Sequence, residues 1–125
     1  MILLLDAHAL LWWLRDEVVL DRAARASIAD PANDVIVSAV TIWELEIKRS
    51  LAKLEAPSDL LGVLEIEEFD CIPVLGEDAV QAAGLPMHHR DPFDRMILAQ
   101  AQRLEAVVVS RDPAFEAYGV PVLRA

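Results

Sequence analysis

The stretch Ile2-Leu-Leu-Leu-Asp-Ala-His-Ala-Leu-Leu-Trp-Trp-Leu14 decides the fold class. A short apolar run stops on an acid, and helix formers follow at once. A strand half-covered by core alternates apolar and polar residues. This one does not alternate, so it reads as a strand covered on both faces, as in a parallel sheet between helical layers. The pattern recurs down the chain. Residues 35–37, 71–74, 106–109 and 120–123 read as further strands, and 10–14, 21–29, 39–54, 58–68, 77–83 and 92–104 as helices, with a short one over 114–118. Such alternation predicts an α/β fold with a doubly wound parallel sheet. The 125 residues contain no repeat, low-complexity stretch or linker, so one domain over 1–125 is expected.

The apolar fraction of 55% is high for this length, which implies a dense core and apolar surface kept for partners. The single cysteine, Cys71, excludes an intramolecular disulfide framework. No leader-like pattern precedes the first strand, so a reducing cytoplasm is the expected setting. No apolar run approaches the roughly 20 residues needed to cross a bilayer, so no membrane partner is expected. The net charge of −10 opposes a broad basic face for nucleic acid, and discounting four carboxylates grouped around a metal still leaves −6.

In a doubly wound sheet, ligands sit beyond the carboxyl ends of the strands. Asp6 follows the first strand, Ser38 the second, and Ser110-Arg-Asp112 the run Val107-Val-Val109. Asp6 also suits a helix N-cap. With steps of about 100° per residue, Val40, Trp43, Ile47 and Leu51 form one stripe, with Glu44 on its core-facing edge and Glu46 well away from it. A glutamate there is costly unless it is paired or binds something. Asp91-Pro-Phe-Asp94 opens a helix. Asp91 and Pro92 suit its cap and first position, whereas Asp94 aligns with Ile97, Leu98 and Ala101 toward the buried side. Asp112, before Pro113, again suits a cap.

Asp6, Glu44, Asp94 and Asp112 fall together at one end of the sheet. Four converging carboxylates repel unless a cation neutralises them, and a hard divalent ion, Mg²⁺ or Mn²⁺, suits oxygen donors. That chemistry supports phosphodiester hydrolysis. A haloacid-dehalogenase or receiver-type phosphoryl-transfer domain also places Asp at strand ends. The former needs a second acid two residues after Asp6, where His8 stands. The latter needs a Lys after the 106–109 strand, and none follows.

The segments 3–13, 38–48, 89–101 and 110–112 resemble, in order and over essentially the whole chain, VapC-type PIN domains, toxins of type II toxin–antitoxin systems. The stretch His89-Arg-Asp-Pro-Phe-Asp-Arg-Met-Ile-Leu-Ala-Gln-Ala101 is the most specific. The resemblance implies a three-layer α/β/α fold, Mg²⁺- or Mn²⁺-dependent cleavage of RNA, and inhibition by a cognate antitoxin. It makes Asp6, Glu44, Asp94 and Asp112 the catalytic and metal-binding acids, with Ser110 as a supporting hydroxyl and Asp91 as a secondary candidate. The alternative is a catalytically degenerate PIN fold serving as a protein-binding module, against which stands the presence of all four acids. One departure is Ala7, where many relatives carry Thr or Ser; His8 is a candidate substitute by hydrogen bonding.

Arg90, Arg95 and Arg111, with His88 and His89, concentrate basic groups near the proposed site, and a salt bridge to a neighbouring Asp is the expected role of Arg95. The resemblance also implies a homodimer paired through helices. Ile42 and Leu45, opposite Val40 and Ile47, are expected at the dimer or antitoxin surface, together with 60–69 and Trp12-Trp13.

Overall fold

The computed structural model describes residues 1–125. The chain runs β1 (Ile2–Leu5), α1 (Ala7–Leu14), α2 (Arg22–Ala29), β2 (Asp34–Ser38), α3 (Ala39–Ser50), α4 (Leu60–Ile66), β3 (Asp70–Ile72), α5 (Gly76–Gly84), α6 (Pro92–Leu104), β4 (Val107–Ser110), a 3-10 helix (Pro113–Tyr118) and β5 (Val122–Arg124). The strands pair in the order β3-β2-β1-β4-β5, and every pairing is parallel. The order reverses between β1 and β4, which creates a crevice beyond their carboxyl ends.

Side chains alternate across the sheet, so each strand feeds two cores. Leu3, Leu5, Val35, Val37 and Val109 pack toward α1, α2 and α4 in one cluster. Leu4, Ile36 and Val108 pack toward α6 and the 3-10 helix in another, with Ile97, Leu98 and Phe115. The result is the expected three-layer α/β/α arrangement. No helix is long and apolar enough to cross a membrane.

The largest departure from expectation lies in α3. Trp43 and Leu51 of the supposed core stripe are 61% and 58% exposed, whereas Leu45, expected on a partner surface, is fully buried and Ile42 packs partly against the same core. The buried face comprises Val40, Thr41, Glu44 and Leu45, roughly a quarter turn from the apolar stripe. The helix starts at the carboxyl end of β2, so its inner face looks onto the crevice and carries polar residues that an apolar count passes over. Leu60, Leu64 and Phe69, also expected on a partner surface, are core.

α3 also stops earlier than its composition suggests. Ala52 takes a left-handed conformation (φ 54°), Lys53 N donates to Lys48 O at 2.8 Å, and Ala52 N donates to Arg49 O. This is the Schellman termination usually built on glycine. With alanine in its place, nothing in the composition marks the stop. At the other ends, β3 and β5 are shifted from 71–74 and 120–123 to 70–72 and 122–124, fixed by pairing with β2 and β4.

Candidate active site

Asp6, Glu44, Asp94, Asp112 and Asp91 all line one cleft of about 210 Å³ at the crevice between β1 and β4. Each is placed by a local device. Asp6 ends β1, its amide tied to Val109 O at 3.1 Å, and its Oδ1 caps α1 by accepting from Ala9 N at 2.8 Å. Asp91 caps α6 by accepting from Phe93 N at 2.9 Å, and Asp112 caps the 3-10 helix by accepting from Ala114 N at 2.9 Å. Capping and convergence are therefore not rival roles here. A helix that starts at a strand end carries its cap, and its first turn, into the crevice.

Asp6 and Glu44 are only 5% and 6% exposed, a burial that an isolated carboxylate does not tolerate. Glu44 is compensated by Lys48, whose Nζ lies 2.7 Å from Oε2. Burial raises the Asp6 carboxyl, opposed by hydrogen bonds from Ser110 and Ala9. Burial and the nearby Asp91, Asp6 and Glu44 push Asp94 up to about 7, while the neighbouring His89 opposes the shift. The crevice thus concentrates more negative charge than its own cations neutralise.

Ser110 is buried and accepts from Asp112 N at 3.0 Å, and its hydroxyl lies close enough to Asp6 to oppose the rise of that carboxyl, so one hydroxyl neighbours the first and last acids. Its hydroxyl stands near Asp6, where Ala7 offers none. His8, the candidate substitute, instead stacks on Trp12 with ring centroids 5.7 Å apart.

Two residues behave differently from expectation. Arg95 makes no ion pair with a neighbouring Asp. Its nearly buried guanidinium donates to Ala83 O, Leu85 O (2.7 Å), Pro86 O and His89 O (3.0 Å), clamping the segment between α5 and α6. His89, noted in the sequence only as a nearby base, sits inside the acid cluster, with Nε2 2.9 Å from both Asp94 Oδ2 and Asp112 Oδ2. The donor atoms of His89, Asp94 and Asp112 all lie within 4.8 Å of one another. Their spacing in sequence carried no signal, because the contact spans 23 residues.

On the rim, Arg111 stacks its guanidinium 4.5 Å over the Trp12 ring and donates through Nε to Ala125 O at 2.9 Å. His88 stacks edge-on against Tyr118, and Arg90 is exposed. A second cleft, of about 290 Å³, opens at the opposite end of the sheet beside Asp34 and Asp70, where no strand delivers its carboxyl end.

Residues 3–121 match the model of the PIN domain. The chain belongs to the PIN domain family. Its fold is similar to that of a chain of the VapBC2 complex from Rickettsia felis bound to a promoter DNA fragment (TM-score 0.72, 15% identity, 99% of this chain and 98% of that one). It is also similar to FitAcB from Neisseria gonorrhoeae (TM-score 0.68, 22% identity, 98% and 96%), and to DNA-bound VapBC from Salmonella typhimurium (TM-score 0.70, 18% identity, 98% and 97%). No curated protein matches the chain in sequence. PIN-domain nucleases are hydrolases that use divalent metal ions. The cleft suits such an ion, since it gathers buried oxygen donors whose mutual repulsion a cation relieves.

Proposed function

We propose that this PIN domain is a metal-dependent endoribonuclease, the toxin of a toxin–antitoxin pair, with Asp6, Glu44, Asp94 and Asp112 as its metal-holding acids. The observation that carries this reading is the convergence of Asp6, Glu44, Asp94 and Asp112 on one cleft, where burial and the neighbouring acids push the Asp94 carboxyl up to about 7. A site that holds acids this close without enough cations of its own is built for an added one. Mg²⁺ fits the oxygen donors, and Mn²⁺ substitutes for it. The cation supplies Lewis acidity toward a phosphate oxygen and the positive charge that the cluster lacks.

The chain's own residues do the rest. Asp6 is oriented by Ala9 N, and Glu44 is neutralised by Lys48 in the metal-free protein. Asp91 chiefly sets the start of α6, and with it the place of Asp94. Arg111 and Lys48 bring guanidinium and ammonium groups to the cleft, where a phosphodiester backbone needs them on an otherwise acidic protein.

The structural neighbours come from toxin–antitoxin assemblies, which supports a cognate antitoxin as partner. With Leu45 in the core, pairing into a homodimer falls to side chains that remain exposed, among them Trp43, Leu51, Leu61 and Ile66. A monomeric mass at micromolar concentration would count against that pairing.

The test of the function is incubation of the protein with a total cellular RNA pool in Mg²⁺, Mn²⁺ or EDTA, with the 5′ ends read by sequencing. Discrete metal-dependent ends are expected. Ends that persist in EDTA would contradict the reading.

A further inference from the structure

His89 resembles a third metal ligand beside Asp94 and Asp112, yet its hydrogen bonds leave no nitrogen lone pair for a cation. Nδ1 faces the backbone N–H of Asp91 at 3.2 Å. That group only donates, so Nδ1 must accept, and its lone pair is engaged. The ring proton then sits on Nε2, between two carboxylate oxygens 2.9 Å away that only accept when ionised. Both contacts call for the same tautomer.

The backbone of His89 is fixed on both sides of the ring, and the ring itself packs on an aromatic neighbour. His89 N donates to the Tyr118 hydroxyl at 2.7 Å, His89 O accepts from Arg95, and Phe115 stacks edge-on with centroids 5.8 Å apart. With its side chain 14% exposed, the imidazole has little freedom to turn. Asp112, by contrast, is 40% exposed and stands on a short 3-10 helix; Nε2 of His89 is what ties it to Asp94 on α6.

We infer that His89 is a positioning residue: locked as the Nε2–H tautomer by the Asp91 amide, it gathers the Asp94 and Asp112 carboxylates with one shared proton and stays outside the metal-ligand set. The tautomer stands on geometry alone, whereas its effect on cation binding rests on the nuclease reading above. Outer hydrogen bonds of this kind orient ligating carboxylates, and their loss weakens metal sites.

Two-bond ¹H–¹⁵N NMR of the metal-free protein at neutral pH reads the tautomer directly. A protonated Nε2 with an unprotonated Nδ1 is expected for His89; an Nδ1–H tautomer or a doubly protonated ring would overturn the inference. Pulsed EPR of the Mn²⁺-loaded protein should show no directly coordinated nitrogen, and a bound imidazole nitrogen would overturn it as well. His89→Ala should weaken Mn²⁺ binding by about 10- to 100-fold, and His89→Gln, which keeps an N–H donor, should recover most of that loss. Equal affinity in the alanine variant and the unaltered protein would count against the positioning role. Absence of Mn²⁺ binding by the unaltered protein would refute the nuclease reading, and the NMR result would still decide the tautomer.

Discussion

The Lys48 ammonium lies 2.7 Å from Glu44 Oε2, one turn further along α3, at the edge of the acidic cleft. It occupies the place of a counter-ion and competes electrostatically with any added cation. Lys48→Met should therefore bind Mn²⁺ severalfold more tightly by calorimetry, while the metal-free protein loses about 1–3 kcal/mol of stability, because the nearly buried Glu44 carboxylate is left without its partner. Weaker Mn²⁺ binding in this variant would show that Lys48 organises the acids rather than opposing the ion.

Asp94 is expected to trade stability for function. Its carboxyl is raised from 3.8 to about 7 in the folded protein. The folded state therefore holds this proton more tightly than the unfolded chain does. The stability contributed by the neutral form is fully present below 3.8 and is lost as pH rises through about 7. Asp94→Asn should melt higher than the unaltered protein in EDTA near pH 8, and the two should converge near pH 4. A divalent cation stabilises only the ionised site, so the gain in Tm on adding Mg²⁺ should be larger near pH 8 than near pH 5, and absent in Asp94→Asn. Thermal melts across that range check all four outcomes.

Arg95 fixes the approach to α6 with its planar fork. Replacing it by Met should cost about 3 kcal/mol or more in chemical denaturation, since several charge-assisted hydrogen bonds to carbonyls disappear at a buried site. Arg95→Lys should recover little, because one ammonium cannot reach carbonyls that both terminal nitrogens now serve.

The difference between what was legible in the sequence and what was not follows range. β1, β4 and α6 were legible because apolar runs and an Asp-Pro cap are local signals. So was the convergence of the acids, because a parallel sheet sends every strand's carboxyl end to one side. The inner face of α3 does not stand out in the sequence because the polar Thr41 and Glu44 share it with the core residues Val40 and Leu45, and an apolar count passes over them. The roles of His89 and Arg95 were hidden because both depend on partners brought together only by folding: Asp112 for one, the end of α5 for the other.

Glu105, at the end of α6, offers a test of backbone strain away from the site. It is exposed and left-handed, with φ 53°. Glu105→Gly should stabilise the protein by about 0.5–1 kcal/mol in a denaturant melt, since only glycine adopts that conformation freely. RNA cleavage should be unchanged.

If the carboxylate cleft is a metal-dependent nuclease site, cleavage must leave with the metal and return with it. Protein stripped with EDTA is dialysed, mixed with RNA, and given Mn²⁺, alongside Asp94→Asn treated identically. Cleavage should be absent after stripping, return fully with Mn²⁺, and stay absent in the variant despite its higher melting temperature. Cleavage by the stripped protein, or equal restoration in Asp94→Asn, would contradict the nuclease reading.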